Sequence, residues 1–315
     1  MTIAGIFPGQ GAQSLGMLSA LSADFTEVRS TFQEVSDLLG RDLWQLAQEG
    51  TEAELNSTEN TQPLMLAAGI AAWRVWLKQG GCQPVAMAGH SLGEYSALVA
   101  AGALTFTDAI GLVAERAHLM QSAVAEGEGA MAAVIGLDDA QIMAACEQAA
   151  QGDVVEAVNF NSPGQVVIAG SEAAIDRAIQ VATEMGARKA IKLSISVPSH
   201  CALMKPAAEK LAMRLASTSF TPSQTPVLHN VDATARTTAD AIRVALEQQL
   251  YRPVRWVDTV LRLQSEYSVT AAVEFGPGKV LVGLNKRIDR KLTTVCVLDS
   301  KTLEEALKLC QEAVA

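Results

Sequence analysis

The sequence predicts an α/β fold with a parallel sheet and a small inserted subdomain. Short apolar strands alternate with helices over residues 1–124 and again over residues 199–315, a pattern typical of a parallel sheet with helices on its faces. Between these two parts, residues 125–198 follow the order βαββαβ, which is the order of a ferredoxin-like unit. We therefore expect a core made of residues 1–124 and 199–315 and a subdomain made of residues 125–198.

The elements of the core can be placed from their apolar patterns. Residues 3–7 are expected to form a short strand, and an amphipathic helix that ends at Gly40 follows it. Pro63 is expected in the first turn of a mostly apolar helix over residues 64–77, since proline is tolerated at that point. A further helix should begin near Asp108 and end near residue 124. Three later strands are expected near residues 226–229, 271–275 and 294–298.

The subdomain is predicted from alternating patterns that are separated by turn residues. Its strands are expected at residues 131–135, 154–160, 165–169 and 189–195. Its helices are expected at residues 138–150 and 171–185, after the first and third strands.

Composition limits the class of protein. With 49% hydrophobic and 18% charged residues, the chain of 315 residues can bury a sizeable core, and no apolar run reaches the roughly 18–20 residues that span a bilayer. The first residues lack the basic segment of a signal peptide, and the five cysteines include no Cys-x-x-Cys pair. We therefore expect reduced cysteines, a cytoplasmic location and no metal site. The net charge of −10 argues against nucleic acid as a partner.

The most specific single motif is Gly89-His90-Ser91-Leu92-Gly93. A short apolar strand over residues 85–88 precedes it, and a helix rich in small residues follows it over residues 94–101. A strand, a sharp turn and a helix are the context of a nucleophile elbow, in which a strained turn presents a serine hydroxyl at the end of the sheet. The alternative is a structural serine in an ordinary βα turn. The flanking elements favour the elbow, so Ser91 is the candidate nucleophile.

A serine nucleophile needs a general base, and the chain has four histidines. The side chain of His90 should leave the elbow in another direction, and His118 lies within a predicted helix. His200 follows the return of the subdomain to the core, where a cleft is expected, whereas His229 ends a strand. The sequence favours His200 and leaves His229 open. No Asp or Glu between residues 92 and 199 stands out as the third member of a triad, so a backbone carbonyl or an amide is expected instead.

Two backbone N–H groups are candidate oxyanion donors. One belongs to Leu92, directly after the nucleophile, and the other to Gln10 in the glycine-flanked turn that follows the first strand. The alternative for the Gly9-Gln10-Gly11 segment is a plain tight turn. The segment lacks the third glycine of a dinucleotide-binding loop.

Arg116 is placed beside the apolar stripe of the helix over residues 108–124. An arginine at the edge of such a stripe commonly reaches solvent or pairs with a nearby carboxylate, here Glu115 or Asp108. The alternative is a guanidinium fork that binds the carboxylate of a substrate through two hydrogen bonds. The sequence alone leaves both open.

Taken together, the motifs resemble the bacterial malonyl-CoA–acyl carrier protein transacylases of the stand-alone, fatty-acid-synthesis type. The matching segments extend over essentially the whole chain and comprise residues 7–13, 61–63, 89–95, 116, 159–165, 197–204 and 276–279. The resemblance implies an α/β-hydrolase-like core with an inserted ferredoxin-like subdomain. It also implies an acyltransferase that feeds fatty acid synthesis in the cytoplasm.

The resemblance implies a ping-pong reaction. The malonyl group would pass from malonyl-CoA to Ser91 and then to the phosphopantetheine thiol of acyl carrier protein. His200 would be the base, and a backbone carbonyl that we place at Gln249 would orient it. The exchange of one thioester for another requires no cofactor.

The resemblance also implies the groups that bind the substrate. The N–H groups of Gln10 and Leu92 would form the oxyanion hole, and Arg116 would bind the malonyl carboxylate. Further residues expected to line the pocket are Met120, Asn159 and Asn161.

Three alternatives remain at this stage. An esterase or thioesterase would share Ser91 and His200 but would not need Arg116. In a non-catalytic interaction protein, Ser91 would be merely structural. An acyltransferase of polyketide assembly, or one that prefers another acyl unit, would keep all the motifs.

A basic cluster near the C-terminus stands out against the acidic chain. We expect acyl carrier protein or the phosphates of CoA to dock there. The alternative is a solvated helix face. The cluster comprises Lys279, Lys286, Arg287, Arg290 and Lys291. We expect the chain to act as a monomer, without a nucleic acid or membrane partner.

Overall fold

The computed structural model describes residues 1–195, 197–223 and 225–314. The strands are β1 (Ile3–Phe7), β2 (Ala86–Gly89), β3 (Gly129–Ile135), β4 (Val155–Ser162), β5 (Gln165–Ser171), β6 (Lys189–Lys192), β7 (Val227–Leu228), β8 (Ala271–Phe275) and β9 (Thr293–Val297). The helices are α1 (Ser19–Asp24), α2 (Thr26–Leu39), α3 (Leu43–Glu49), α4 (Glu52–Asn56), α5 (Thr58–Lys78), α6 (Gly93–Ala100), α7 (Phe106–Ala123), α8 (Asp139–Ala150), α9 (Glu172–Glu184), α10 (Lys205–Ser217), α11 (Ala239–Gln249), α12 (Trp256–Tyr267), α13 (Val280–Ile288) and α14 (Ser300–Val314). Within the described ranges, no helix combines the length and apolar character needed to cross a membrane.

The core sheet has five parallel strands in the order β7-β2-β1-β8-β9. Strands β1, β2 and β8 are buried along their whole length, as expected for short apolar strands that are covered on both faces. The chain adds β2 and β7 on one side of β1 and then places β8 and β9 on the other side. Strand order therefore reverses between β1 and β8, and such a switch point opens a crevice at the carboxyl ends of the strands.

The second sheet is antiparallel, with the order β4-β5-β3-β6. Helices α8 and α9 cover one of its faces, where Ile142 and Ile175 pack against Val134 and Val166. On the other face, Met131 and Val167 share a cluster with Cys201 of the core. The order βαββαβ and the α/β class with a parallel core sheet are thus confirmed.

Pro63 lies inside α5 and not in its first turn, because the helix already begins at Thr58. A proline within a helix leaves the carbonyl four residues earlier without its usual N–H donor. Here that carbonyl belongs to Glu59, and Arg41 Nη2 donates to it at 2.8 Å. The predicted start of the helix is therefore wrong. Arg41, just after α2, supplies the donor that Pro63 lacks, so the helix can continue through the proline.

A disulfide joins Cys82, which follows α5, to Cys310 in α14. These residues are 228 positions apart, so the local spacing of cysteines carries no signal for the pair. The expectation that every cysteine is a free thiol is therefore wrong for these two. The free cysteines Cys146, Cys201 and Cys296 are buried.

Candidate active site

Ser91 lies in the sharp turn between β2 and α6. Its φ is 50°, a left-handed conformation that is costly for a residue with a side chain. The turn is tight enough that a Cβ on Gly93 would lie 2.0 Å from the carbonyl oxygen of Phe7, and one on Gly89 would lie 1.9 Å from the backbone of Gly93. The geometry of a nucleophile elbow is therefore present, with the N-terminus of α6 directly behind the serine.

His200 is the histidine that contacts the serine. The distance between Ser91 Oγ and His200 Nε2 is 2.7 Å, and His200 Nδ1 lies 2.6 Å from the backbone carbonyl oxygen of Gln249. A carbonyl only accepts, so Nδ1 carries the proton and Nε2 is free to accept the serine proton. The structure thus brings Ser91, His200 and the Gln249 carbonyl into one line.

His229, the other candidate base, lies elsewhere. It is completely buried, and its Nδ1 is 2.6 Å from Glu94 Oε1. The sequence favoured His200 for its place at the return of the chain to the core, and only the three-dimensional contacts exclude His229 as the group next to Ser91 Oγ.

The surroundings of His200 keep its imidazole neutral. The pKa of His200 is lowered from 6.5 to about 3, first by burial and then by the positive charge of Arg116, while the hydrogen bond to the Gln249 carbonyl opposes the change. A neutral imidazole is the form that a general base requires.

This lowered pKa predicts an unusual pH profile. A base whose pKa lies below 6.5 stays active as the pH falls, so kcat/KM with acetyl-CoA, whose acyl group is uncharged, should remain level well below pH 6.5. Arg116→Ala removes one cause of the lowered pKa of His200. The acid limb of the pH profile of this variant should therefore lie at a higher pH than the acid limb of the wild type. A wild-type acid limb near pH 6.5, or limbs that coincide in the two proteins, would contradict this account of His200.

Arg116 is buried, and its side chain is 1% exposed. Nη1 donates to Gln62 Oε1 at 2.5 Å, and Nη2 donates to Gln249 Oε1 at 3.1 Å. Of the two alternatives for Arg116, the one in which it reaches solvent or pairs with Glu115 or Asp108 is wrong, because the side chain is buried and bonds to Gln62 and Gln249. Glu115 instead pairs with Arg214.

No carboxylate of the described residues forms an ion pair with Arg116; the two partners given above are neutral amides. The ring of Tyr95 lies 5.5 Å from the guanidinium, but burial raises the pKa of Tyr95 to about 12, so the phenol stays neutral. Burial also lowers the pKa of Arg116, while the charge of Glu94 opposes that change. The site therefore holds a buried cation in a place suited to an incoming anion.

Gln62 is a site residue for which sequence analysis proposed no role. Its Oε1 accepts from Arg116, and its Nε2 lies 3.6 Å from Met120 Sδ, so Gln62 contacts both residues. The available signal was a glutamine directly before the long apolar run of α5. Its partner is 54 residues away, so only the tertiary structure shows the contact.

The two predicted oxyanion donors lie at the carboxyl ends of neighbouring strands. Gln10 follows β1 and Leu92 follows β2, and these strands pair in parallel. Neither backbone N–H has a hydrogen-bond acceptor within the part of the chain that the structure describes. Both groups are therefore available to a ligand next to Ser91.

Asn159 and Asn161 lie on the His90 side of the serine. With Gln10 they line a cavity of about 220 Å³, closed on its other sides by apolar residues of the small sheet and of α13. Asn161 Oδ1 lies 2.7 Å from His90 Nε2. The Asn159 Oδ1 and Gln10 Nε2 atoms are buried without a partner among the described residues. Neither asparagine is a hydrogen-bond partner of Arg116, whose partners are Gln62 and Gln249.

No group of three or more His, Cys, Asp or Glu side chains in the described ranges is arranged to hold a metal ion.

Comparison with known proteins agrees with this architecture. The acyl transferase domain family matches residues 5–291. The malonyl CoA-acyl carrier protein transacylase of Escherichia coli K12 is 54% identical over 304 residues, which cover 96% of this chain and 98% of that protein. The protein of the same name from Bacillus subtilis 168 is 42% identical over 311 residues, covering 98% of each.

A solved structure of a malonyl-transacylase in complex with a type II PKS acyl-carrier protein superposes with a TM-score of 0.96. It is 54% identical and covers 98% of this chain and 100% of that one. Both the sequence matches and this superposition extend over nearly the full length. The chain therefore belongs to the acyl transferase domain family, among the malonyl CoA-acyl carrier protein transacylases.

Proposed function

We propose that this enzyme transfers a malonyl group from malonyl-CoA to the phosphopantetheine thiol of acyl carrier protein, for fatty acid synthesis. The observation that carries the proposal is the buried guanidinium of Arg116, which has no carboxylate partner among the described residues. Burying an unpaired charge is costly, and the carboxylate of a malonyl group would supply the missing anion. The names of the relatives support the same substrate.

The arrangement at Ser91 suits two acyl transfers in sequence. Ser91 Oγ attacks the thioester carbonyl of malonyl-CoA while His200 Nε2 accepts its proton. The N–H groups of Gln10 and Leu92 donate to the oxygen that becomes negative. When the tetrahedral intermediate collapses, the C–S bond breaks and His200 returns the proton to the CoA thiolate.

The second half of the reaction reverses these steps. The phosphopantetheine thiol of the carrier gives its proton to His200 and attacks the malonyl-Ser91 ester. The serine oxygen leaves with the proton from His200, and the free enzyme is restored. Over the two steps one thioester replaces another, so no other reactant is consumed and no cofactor is needed.

The cleft between the two sheets offers a place for the pantetheine arm. We propose that residues 1–124 and 199–315 form the catalytic core and that residues 125–198 form the small subdomain beside it. The cavity near His90 combines apolar walls with the unpartnered amide atoms of Gln10 and Asn159, which suits an arm that carries amide groups. We therefore assign Asn159 and Asn161 to the arm and Met120 to the malonyl end.

Transfer must be distinguished from hydrolysis, because an esterase could use the same serine and histidine. The test is to incubate the enzyme with malonyl-CoA and acyl carrier protein and to measure malonyl-carrier and free malonate. The proposal predicts that most of the malonyl group appears on the carrier. Release of mainly free malonate while carrier is present would favour a hydrolase.

We also propose that the carrier docks at the basic cluster. Helix α13 lines the cavity through Val280, Leu281 and Leu284, and its exposed face carries Lys286 and Arg287. The cluster therefore borders the mouth through which the arm would enter. The monomeric state and the cytoplasmic location remain predictions of the sequence.

Charge reversal tests this docking surface. The double variant Lys286→Glu/Arg287→Glu should raise the KM for acyl carrier protein severalfold at low salt, because it repels an acidic partner, and the difference should shrink as salt is added. The rate of Ser91 acylation by malonyl-CoA should change little. Lys308→Glu, on the exposed face of α14, is the control. An unchanged KM for the carrier in the double variant at low salt would exclude this surface.

A further inference from the structure

Glu94, three residues after the nucleophile, is a completely buried carboxylate that the proposed mechanism does not use. Three donors satisfy it: His229 Nδ1 at 2.6 Å, the backbone N–H of Asn230 at 2.9 Å and Gln249 Nε2 at 2.8 Å. A buried carboxylate is tolerated only when its oxygens are satisfied in this way, so these donors are held in fixed positions around it.

The contact with Glu94 sets the orientation of the Gln249 side chain. A carboxylate only accepts hydrogen bonds, so the amide of Gln249 must turn its nitrogen toward Glu94. The same nitrogen donates to the carbonyl oxygen of Ser91 at 3.0 Å. The amide oxygen therefore points the other way, where it accepts from Arg116 Nη2 at 3.1 Å.

Gln249 thus serves both halves of the site at once. Its backbone carbonyl accepts from His200 Nδ1, and its side-chain oxygen accepts from Arg116. Moving this residue would misplace the base and the guanidinium together. Glu94 and the Ser91 carbonyl both accept from its side-chain nitrogen, and Glu94 is the side chain of the two.

His229 completes the arrangement as a hydrogen-bond donor. Its Nδ1 faces Glu94, and its Nε2 is buried without a partner among the described residues. Because a carboxylate oxygen only accepts, the Nδ1 atom of His229 carries a proton and donates it to Glu94. The Gln249 amide bridges Glu94 and Arg116, since its nitrogen donates to Glu94 and its oxygen accepts from Arg116.

We propose that Glu94 is a positioning residue for acyl transfer. Through Gln249, it takes the place of the carboxylate that a serine hydrolase triad uses to orient its histidine, and it presets Arg116 for the malonyl carboxylate as well. We call the set Arg116, Gln249, Glu94 and His229 the Glu94 relay. The inference rests on the proposed function, since it assigns a role in that reaction.

The test is a double-mutant cycle on the Glu94 relay. Glu94→Gln keeps the size of the side chain but replaces one acceptor oxygen with an amide nitrogen, which weakens the hold on the Gln249 amide, and Gln249→Met removes that amide while keeping the backbone carbonyl. The measured quantities are kcat/KM for acylation of Ser91 by malonyl-CoA and by acetyl-CoA, with folding followed by the thermal transition. Each single variant should lose about tenfold to a hundredfold with malonyl-CoA and should lower the malonyl-to-acetyl ratio.

The double variant should be no slower than the slower single variant, because both changes break the same connection. Losses that multiply in the double variant, or a Glu94→Gln enzyme with wild-type rate and ratio, would overturn the role. If Glu94→Gln does not fold, Gln249→Met decides alone, since it leaves the contact between Glu94 and His229 intact: a wild-type rate and ratio in that variant would overturn the role.

Glu274 provides a matched control for the loss of a buried carboxylate. It is also completely buried, but its oxygens accept from the backbone N–H groups of Leu281 and Val282 and contact no member of the Glu94 relay. Glu274→Gln should lower the melting temperature and leave the malonyl-to-acetyl ratio unchanged. A wild-type enzyme that forms no malonyl adduct at all would instead overturn the proposed function, and this role with it.

Discussion

His200→Ala is expected to slow the acylation of Ser91 by malonyl-CoA by about 10²–10⁴-fold, the usual contribution of a general base. The imidazole Nε2 lies 2.7 Å from the serine oxygen, and no other histidine contacts that atom in the described part of the chain. Without it, the serine proton has no acceptor in place. The loss should be similar with acetyl-CoA, because His200 acts on the serine and not on the acyl group.

Rapid-quench measurement of the acyl-enzyme checks this expectation. His118→Ala is the control, because His118 is an exposed histidine whose ring pairs with Glu59 at the surface. It should acylate at the wild-type rate. A folded His200→Ala enzyme whose rate falls by less than about tenfold would show that another group accepts the proton.

Arg116→Ala should reduce malonyl transfer strongly and spare uncharged acyl groups. Each charge-assisted hydrogen bond to the malonyl carboxylate contributes about 1.5–3 kcal/mol, so the loss in kcat/KM for malonyl-CoA should be at least about tenfold. The rate with acetyl-CoA should change far less, because acetyl has no carboxylate to bind. The malonyl-to-acetyl ratio is therefore the quantity to measure.

Two further variants sharpen the result for Arg116. Arg116→Lys keeps the charge but loses the planar fork, so its ratio should lie between those of the wild type and of the alanine variant. Arg214→Ala removes a half-exposed arginine that pairs with Glu115 beside the same helix, and it should leave the ratio unchanged. An unchanged ratio in Arg116→Ala would remove this residue from the acyl-binding site.

The local parts of the site could be predicted from the sequence. The elbow at Ser91 depends on residues that are adjacent in the chain, since Gly89 and Gly93 permit the close approach of α6 to β1. The switch from apolar strand to glycine turn to helix is therefore visible in a single segment. The βαββαβ order of the subdomain is visible for the same reason, because each element has its own periodicity.

The non-local parts could not be predicted from pattern alone. Two side chains hold Arg116 in place. Gln62 is 54 residues away from it in the chain and Gln249 is 133 residues away. The resemblance to a family pointed to Arg116 and to the Gln249 carbonyl, but not to the side-chain amide that joins them. The role of Glu94 could not be read from the motif, because its partners come from the segment after β7 and from the end of α11.

The cysteine pair and Pro63 show the same limit. The disulfide between Cys82 and Cys310 depends on where α14 packs, and the continuity of α5 through Pro63 depends on a donor from Arg41. In each case the structure at a residue differs from the one its neighbours in the sequence predict, because a group distant in the chain contacts it.

The most direct test of the central claim is the intact mass of the protein after brief incubation with malonyl-CoA, first without and then with acyl carrier protein. The account predicts a gain of one malonyl group that is absent in Ser91→Ala and that disappears from the wild type when the carrier is added, with malonyl-carrier formed in equal amount. A malonyl adduct that persists in Ser91→Ala, or no adduct on the wild type, would contradict it.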